Sequence, residues 1–153
     1  MVPINCAITE RTGSVKIESD IENFLGNSIG NQNGGGIDVE AKTLDDIVES
    51  QEIEVVDFIK MNIEGAERSA LFGMEQTLKK TRVICISCHD FKYKGTNNPF
   101  FKTFDDVEAA VKKAGWKIVY RSSDREKFKY QVDLEELRYM INAYNPKLFD
   151  PLA

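Results

Sequence analysis

Hydrophobic positions along this chain come in short continuous or alternating runs, separated by stretches where they recur every three or four residues. That is the pattern of strands alternating with helices. Val2 to Thr9 predicts a short strand that turns at Arg11, Thr12 and Gly13 into a second one, Ser14 to Ser19. The two are expected to form a hairpin or a strand followed by an edge ribbon. From Asn23 to Gly36 the chain is rich in Gly and Asn with little periodicity, which predicts a flexible loop. It lacks the GxGxxG spacing and strand-turn-helix context of a phosphate cradle. Ile37 to Ala41 predicts a strand, and Thr43 is placed to cap a helix with Asp45 and Asp46 in its first turn and Leu44, Ile47 and Val48 inward. Val55 to Ile63, VVDFIKMNI, reads as a strand buried on both faces of a parallel sheet.

Gly65 breaks that strand, and a helix is predicted from Ala66 to Lys80 with Ala70, Leu71, Met74 and Leu78 on one side. VICISC is the next strand. Lys92 to Asn98 is polar and contains Gly95, which predicts a loop, and Phe104 to Ala114 predicts a helix with Phe104, Val107, Ala110 and Val111 inward and Gly115 just past its end. Trp116 to Tyr120 is a further strand. In the tail, Leu134, Leu137, Ile141 and Tyr144 keep helical spacing while Arg138 to Tyr144 alternates, which predicts a short helical start and then a strand. The rhythm as a whole predicts an α/β sandwich with a largely parallel sheet.

With 153 residues, the chain has the length of one ordinary domain. Its net charge of -5 argues against a sequence-independent grip on nucleic acid, which requires clustered Lys and Arg. Apolar runs stay far short of the roughly 20 residues that span a bilayer, so no membrane association is expected. MVPINCAITERTG has no basic start and no long apolar stretch, which makes the cytoplasm the expected compartment.

The segment CISCH, Cys85 to His89, matches the attachment pattern of c-type haem. Alternation along a strand, however, sends Cys85 and Ser87 to one face and Cys88 to the other, so the two sulfurs do not meet one haem edge. An odd total of three cysteines also suits a reducing compartment without a disulfide framework. The reading preferred here is a strand with a polar tip.

In open parallel sheets, ligands bind beyond the carboxyl ends of the strands. Two such ends carry unusual polar groups here. One is Asn62, Glu64, Gly65 and Glu67, where Gly65 permits a tight reversal and the carboxylates suit a helix start. The other is His89 with Asp90, and His89 is the chain's single histidine, able to take or give a proton near neutral pH. One histidine without fixed ligand spacing gives no basis for a metal site.

IKMNIEGAERSALFGMEQTLKK followed by VICISCHD resembles the FkbM-type methyltransferases, which show an IK-D-EGAE segment, a helix of the form L-x-G and a strand ending near a histidine. TLDDIV and NCAITERTGSVKI are also similar to that family's upstream helix and to its strand and hairpin, so the resemblance covers nearly the whole chain. It implies a single, partial methyltransferase-like domain. The fold would be a Rossmann-like α/β sheet, mostly parallel with an antiparallel last strand and truncated at the N-terminus. The activity would depend on S-adenosylmethionine, with O-methyl transfer to a small-molecule or sugar hydroxyl.

By the same resemblance His89 would be the base, and Asn62 and Glu64 would lie near the methionine end of the cofactor or the acceptor. Glu67 would help orient the acceptor, and Cys6, Ala7 and Ile8 would flank the adenine. This chain departs from the family at Asn62, where Asp is usual, at Ser87, where Glu is common, and in lacking the initial glycine-rich turn. Those departures imply an alternative, a non-catalytic domain acting as a binding or oligomerisation module. Its exposed sheet edge would invite a second copy or a complementing chain.

Overall fold

The computed structural model describes residues 2–19, 22, 26–29, 36–119 and 139–149. Its strands are β1 (Ala7–Ile8), β2 (Gly13–Glu18), β3 (Gly36–Lys42), β4 (Val56–Met61), β5 (Thr81–Ser87), β6 (Lys117–Ile118) and β7 (Met140–Tyr144). Its helices are α1 (Leu44–Ser50), α2 (Glu67–Phe72), α3 (Glu75–Lys79), α4 (Asp90–Thr96) and α5 (Phe104–Lys113), with a 3-10 turn at Pro99–Phe101.

The strands form two sheets, ordered β1-β3-β2 and β4-β5-β7-β6. The fold is α/β, but the expected largely parallel sheet is replaced by a mixed arrangement. β1 with β3 and β4 with β5 are parallel, whereas β2 with β3, β5 with β7 and β6 with β7 are antiparallel. Parallel neighbours need a crossover connection, and α2 with α3 supply one only between β4 and β5. The last strand, β7, is antiparallel as the resemblance implied.

The first two strands do not form a hairpin with each other. β2 runs antiparallel to β3 from Gly13–Ala41 to Glu18–Gly36, and β1 takes the opposite edge of β3. Alternation explains the choice: Val15, Ile17, Val39 and Ala41 share one face, while Lys16 sits directly opposite Asp38 on the other with an ion pair of 2.9 Å. Of the expected 2–9 strand only Ala7–Ile8 is strand, with Thr9 N donating to the Lys42 carbonyl of β3 at 3.0 Å just past it.

α1 starts where its sequence indicated. Thr43 Oγ1 accepts from Asp46 N at 2.9 Å, satisfying one of the helix's orphan donors. Hydrogen bonds from the Thr12 and Thr43 side chains hold the Asp46 carboxyl below its ordinary value. The long helix expected over 66–80 is instead two short ones that break at Gly73. There a Cβ would lie 2.1 Å from the Thr9 carbonyl oxygen, and the Gly73 carbonyl accepts from Asp45 N at 3.0 Å. The close approach of the 9–10 backbone thus interrupts the helix, and it accounts for the glycine of the L-x-G segment.

Ala70, Leu71, Met74 and Leu78 still face inward. They join Met61, Ile84, Ile86, Val107, Val111, Trp116, Ile141 and Ala143 in one buried cluster. β4 is not buried on both faces. Among the described residues it is the edge strand of its sheet, and Phe58, in register with Val83, is 56% exposed on the face away from that cluster. The expected polar loop over 92–98 is also corrected: most of it belongs to α4, which ends at Asn97 in the left-handed region (φ 53°). Only Asp90 of that helix is buried, so its sequence carries no apolar periodicity. β6 is shorter than the 116–120 run, and the helical start expected around Leu134 and Leu137 lies outside the described residues. No helix among the described residues is long and apolar enough to cross a membrane.

Within the core, Thr77 is fully buried and its Oγ1 has no hydrogen-bond partner among the described residues. Thr77→Val keeps the shape and removes an unsatisfied hydroxyl. It is expected to leave stability unchanged or to raise it by up to about 1 kcal/mol, read as a higher urea midpoint at constant slope.

Candidate active site

The carboxyl ends of β4 and β5 lie side by side because the two strands are parallel neighbours, Met61 being in register with Ile86. After β4 the chain turns through two consecutive residues with positive φ, Glu64 (56°) and Gly65 (100°). A non-glycine residue in that region costs roughly 1 kcal/mol or more, so the turn persists only because surrounding bonds over-determine it. Ser28 Oγ donates to the Glu64 carbonyl at 2.7 Å, and Glu67 Oε1 accepts from Gly65 N at 3.2 Å and from Ile63 N at 3.4 Å.

β5 ends at Ser87, and His89 follows within two residues, immediately before α4. Its two ring nitrogens face two carboxylates. Nδ1 lies 2.6 Å from Glu67 Oε1 and Nε2 lies 3.0 Å from Glu64 Oε1. Both contacts are satisfied together when the ring carries two N–H donors. The three residues differ sharply in access: Glu67 is wholly buried, His89 nearly so, and the Glu64 side chain is 20% exposed.

Further groups complete a chain of polar contacts. Glu64 Oε2 pairs with Lys92 Nζ at 2.5 Å, and Lys92 Nζ also donates to the Gly26 carbonyl at 3.1 Å. On the buried side, Thr103 Oγ1 lies 3.3 Å from Glu67 Oε2 and 3.3 Å from Asp90 Oδ2, so its one hydrogen serves one carboxylate at a time. Asp90 Oδ2 accepts from Thr103 N at 3.1 Å and Phe104 N at 2.9 Å, capping α5 from outside that helix. Cys88, fully buried beside this cluster, has its thiol pushed up strongly by burial and further by the negative charges of Glu67 and Asp90. That sulfur stays protonated and offers no thiolate nucleophile.

Glu64, Glu67 and His89 are therefore brought together. Asn62 is exposed just past β4, and Cys6, Ala7 and Ile8 lie at β1, in the other sheet, where Ala7 is in register with Ala41 and Ile8 packs against the buried cluster. Asp90, expected beside His89, joins the network through Thr103, and Lys92, Thr103 and Ser28 are members that the sequence did not point to. The three-residue spacing of His89 and Lys92 would have pointed to Lys92 had the 90–96 stretch been read as a helix. A surface depression of about 520 Å3, lined by Glu10, Arg68, Ser69, Phe72, Asp106 and Ala109, includes none of these residues.

The model of the methyltransferase FkbM domain family matches residues 6–118, well over half of the chain. No curated protein and no solved structure matches the chain significantly. The matched span runs from the start of β1 to the end of β6 and takes in the whole Glu64, Glu67 and His89 cluster, and on that ground the chain belongs to the FkbM methyltransferase domain family.

Proposed function

We propose that this chain serves S-adenosylmethionine-dependent methyl transfer to a hydroxyl oxygen of a small molecule or sugar, with Glu64 and His89 handling the proton and Glu67 holding the imidazole. The observation that carries the reading is a nearly buried histidine held at 2.6 and 3.0 Å between two carboxylates of unequal exposure, at adjacent strand ends. Such a cluster is where a parallel pair of strands presents chemistry.

The chain's residues suit the cofactor in kind. Asn62 offers an exposed amide for the polar methionine end, and Cys6, Ala7 and Ile8 offer part-exposed, largely apolar surface for adenine. S-adenosylmethionine, when bound, supplies an electrophilic methyl group on a sulfonium. Transfer of that methyl to a hydroxyl would require the hydroxyl proton to be taken up by a group of this chain. Glu64 is the carboxylate an incoming hydroxyl meets first, and His89 Nε2 stands directly behind it. Glu67 was expected to orient the acceptor, but it is wholly buried and out of an acceptor's reach, so its role here is to set the ring's orientation through Nδ1. Replacing His89 with Gln is then expected to lower turnover by about a hundredfold or more.

A second reading, a non-catalytic binding or oligomerisation module, is favoured by β4, which has no second strand neighbour among the described residues and beside which Val55 and Phe58 are both exposed. Calorimetric titration with S-adenosylmethionine and its homocysteine product separates the two. Micromolar binding supports the enzyme and calls for a screen of hydroxyl acceptors. An absence of heat at high protein concentration overturns it in favour of the module, whose self-association light scattering would then measure.

A further inference from the structure

We propose that Lys92 is a positioning residue: together with Ser28 it aligns the Glu64 carboxylate on His89 Nε2 and ties the glycine-rich segment to the candidate active site. The inference deepens the proton-handling role given to Glu64 and His89 above, and rests on it for its catalytic meaning.

Three contacts fasten Glu64 at different points. Its carbonyl oxygen accepts from Ser28 Oγ at 2.7 Å, Oε2 meets Lys92 Nζ at 2.5 Å, and Oε1 meets His89 Nε2 at 3.0 Å. Lys92 is in turn fixed by its second bond, to the Gly26 carbonyl at 3.1 Å, and its ammonium lies 5.4 Å from the centre of the Phe101 ring. The path from Gly26 to Lys92 to Glu64 to Ser28 therefore closes on itself through the chain between residues 26 and 28. Ser28 is buried, its N donates to Glu18 Oε2 at 3.2 Å, and the N of Glu18 donates back to the Ser28 carbonyl at 3.2 Å.

This ring of contacts accounts for a conformation that is otherwise costly. Glu64 stands at φ 56° without being glycine, and an observed outlier of that kind points toward function when its neighbours over-determine it. Lys92 and His89 each take one oxygen of the same carboxylate. With the lysine on Oε2, Glu64 cannot rotate away from the imidazole without giving up a charge-assisted bond. The side chains of Lys92 and Glu64 are 22% and 20% exposed, so the pair is screened far less than a surface bridge. A lysine that held only the fold together would have no need to share the carboxylate that faces the histidine.

The test uses the chain's one histidine, whose ring signals need no assignment. In protein labelled with 15N-histidine, under conditions where both ring N–H signals are seen, exchange of the Nε2 and Nδ1 protons with water is measured separately by NMR. Lys92→Met is expected to speed Nε2 exchange by about tenfold or more, the loss of one charge-assisted bond, while Nδ1, held by Glu67, keeps its rate. Lys92→Arg restores protection at Nε2, and Ser28→Ala shifts Nε2 in the same direction by less. Unchanged Nε2 exchange in folded Lys92→Met overturns the proposal, as does equal loosening of both ring protons. Should Lys92→Met fail to fold, Ser28→Ala and Lys92→Gln carry the same comparison. Because the readout needs no turnover, it stands or falls separately from the methyltransferase reading, which an absence of cofactor binding would defeat while leaving this result intact.

Discussion

Glu67→Ala is expected to destabilise the protein by about 3–5 kcal/mol, the usual cost of removing one partner from a buried charged pair. The carboxylate is wholly buried and serves several donors at once. Oε1 meets His89 Nδ1 at 2.6 Å and accepts from the amides of Gly65 and Ile63, and Oε2 lies 3.3 Å from Thr103 Oγ1. Truncation leaves the imidazole without its inner partner and frees the amide that holds the turn after β4. Against a total stability of about 5–15 kcal/mol, this is enough to populate the unfolded state measurably. Glu67→Gln keeps the volume and one acceptor oxygen, and its expected cost is about 1–3 kcal/mol. Urea denaturation of the two variants reads the difference. Equal, small losses below about 1 kcal/mol in both would show that Glu67 is not the anchor of the cluster.

Gly65→Ala is expected to cost about 2–4 kcal/mol and to disturb the site more than its distance from His89 suggests. Two causes add. The backbone at Gly65 has φ 100°, which side chains with a Cβ rarely adopt, and the new methyl would stand 2.5 Å from Phe101 Cδ1 and 3.0 Å from Phe100 Cε1. Phe101 is buried and cannot swing aside freely, so overpacking contributes alongside strain. Relief of that strain pulls on the Gly65 N to Glu67 bond and on Glu64, the two links through which the turn meets His89. Gly95→Ala is the control. It lies in α4 with open space around the added methyl, and it should stabilise by about 0.5–1 kcal/mol if it does anything. A Gly65→Ala protein as stable as the parent, in thermal and urea unfolding alike, would contradict the turn geometry.

Much of the site was legible because its main members sit at places that local pattern defines. Apolar runs expected to end at Ile63 and Cys88, close to the observed ends at Met61 and Ser87, mark two strands, Gly65 marks a reversal, and parallel neighbours present their carboxyl ends together, so Glu64, Glu67 and His89 were grouped from the chain alone. The cap at Thr43 and the inward positions Val107 and Val111 were equally local: a hydroxyl three residues before an amide, and a stripe repeating with the helix. The FkbM-type segment from Ile59 through Asp90 carried the family in the same way.

What the chain's own order did not reveal is set by contacts between distant residues. Whether β2 pairs with β1 or β3 depends on which strand offers Lys16 a carboxylate and Val15 an apolar neighbour, and β3 offers both. The break at Gly73 exists because the Thr9 carbonyl passes there, sixty-odd residues away in sequence. Ser28 and Lys92 sit in stretches without hydrophobic period, so periodicity could say nothing of them, yet both close on Glu64. By itself the sequence determined the strand and helix segments with strong periodicity, the family and the residue types of the site. Only the tertiary structure decided which strands meet, which face of β4 is open, and which partners hold each carboxylate. Hydrophobic spacing reports a residue's local geometry, whereas hydrogen bonds and charges are specified by the groups that folding brings alongside.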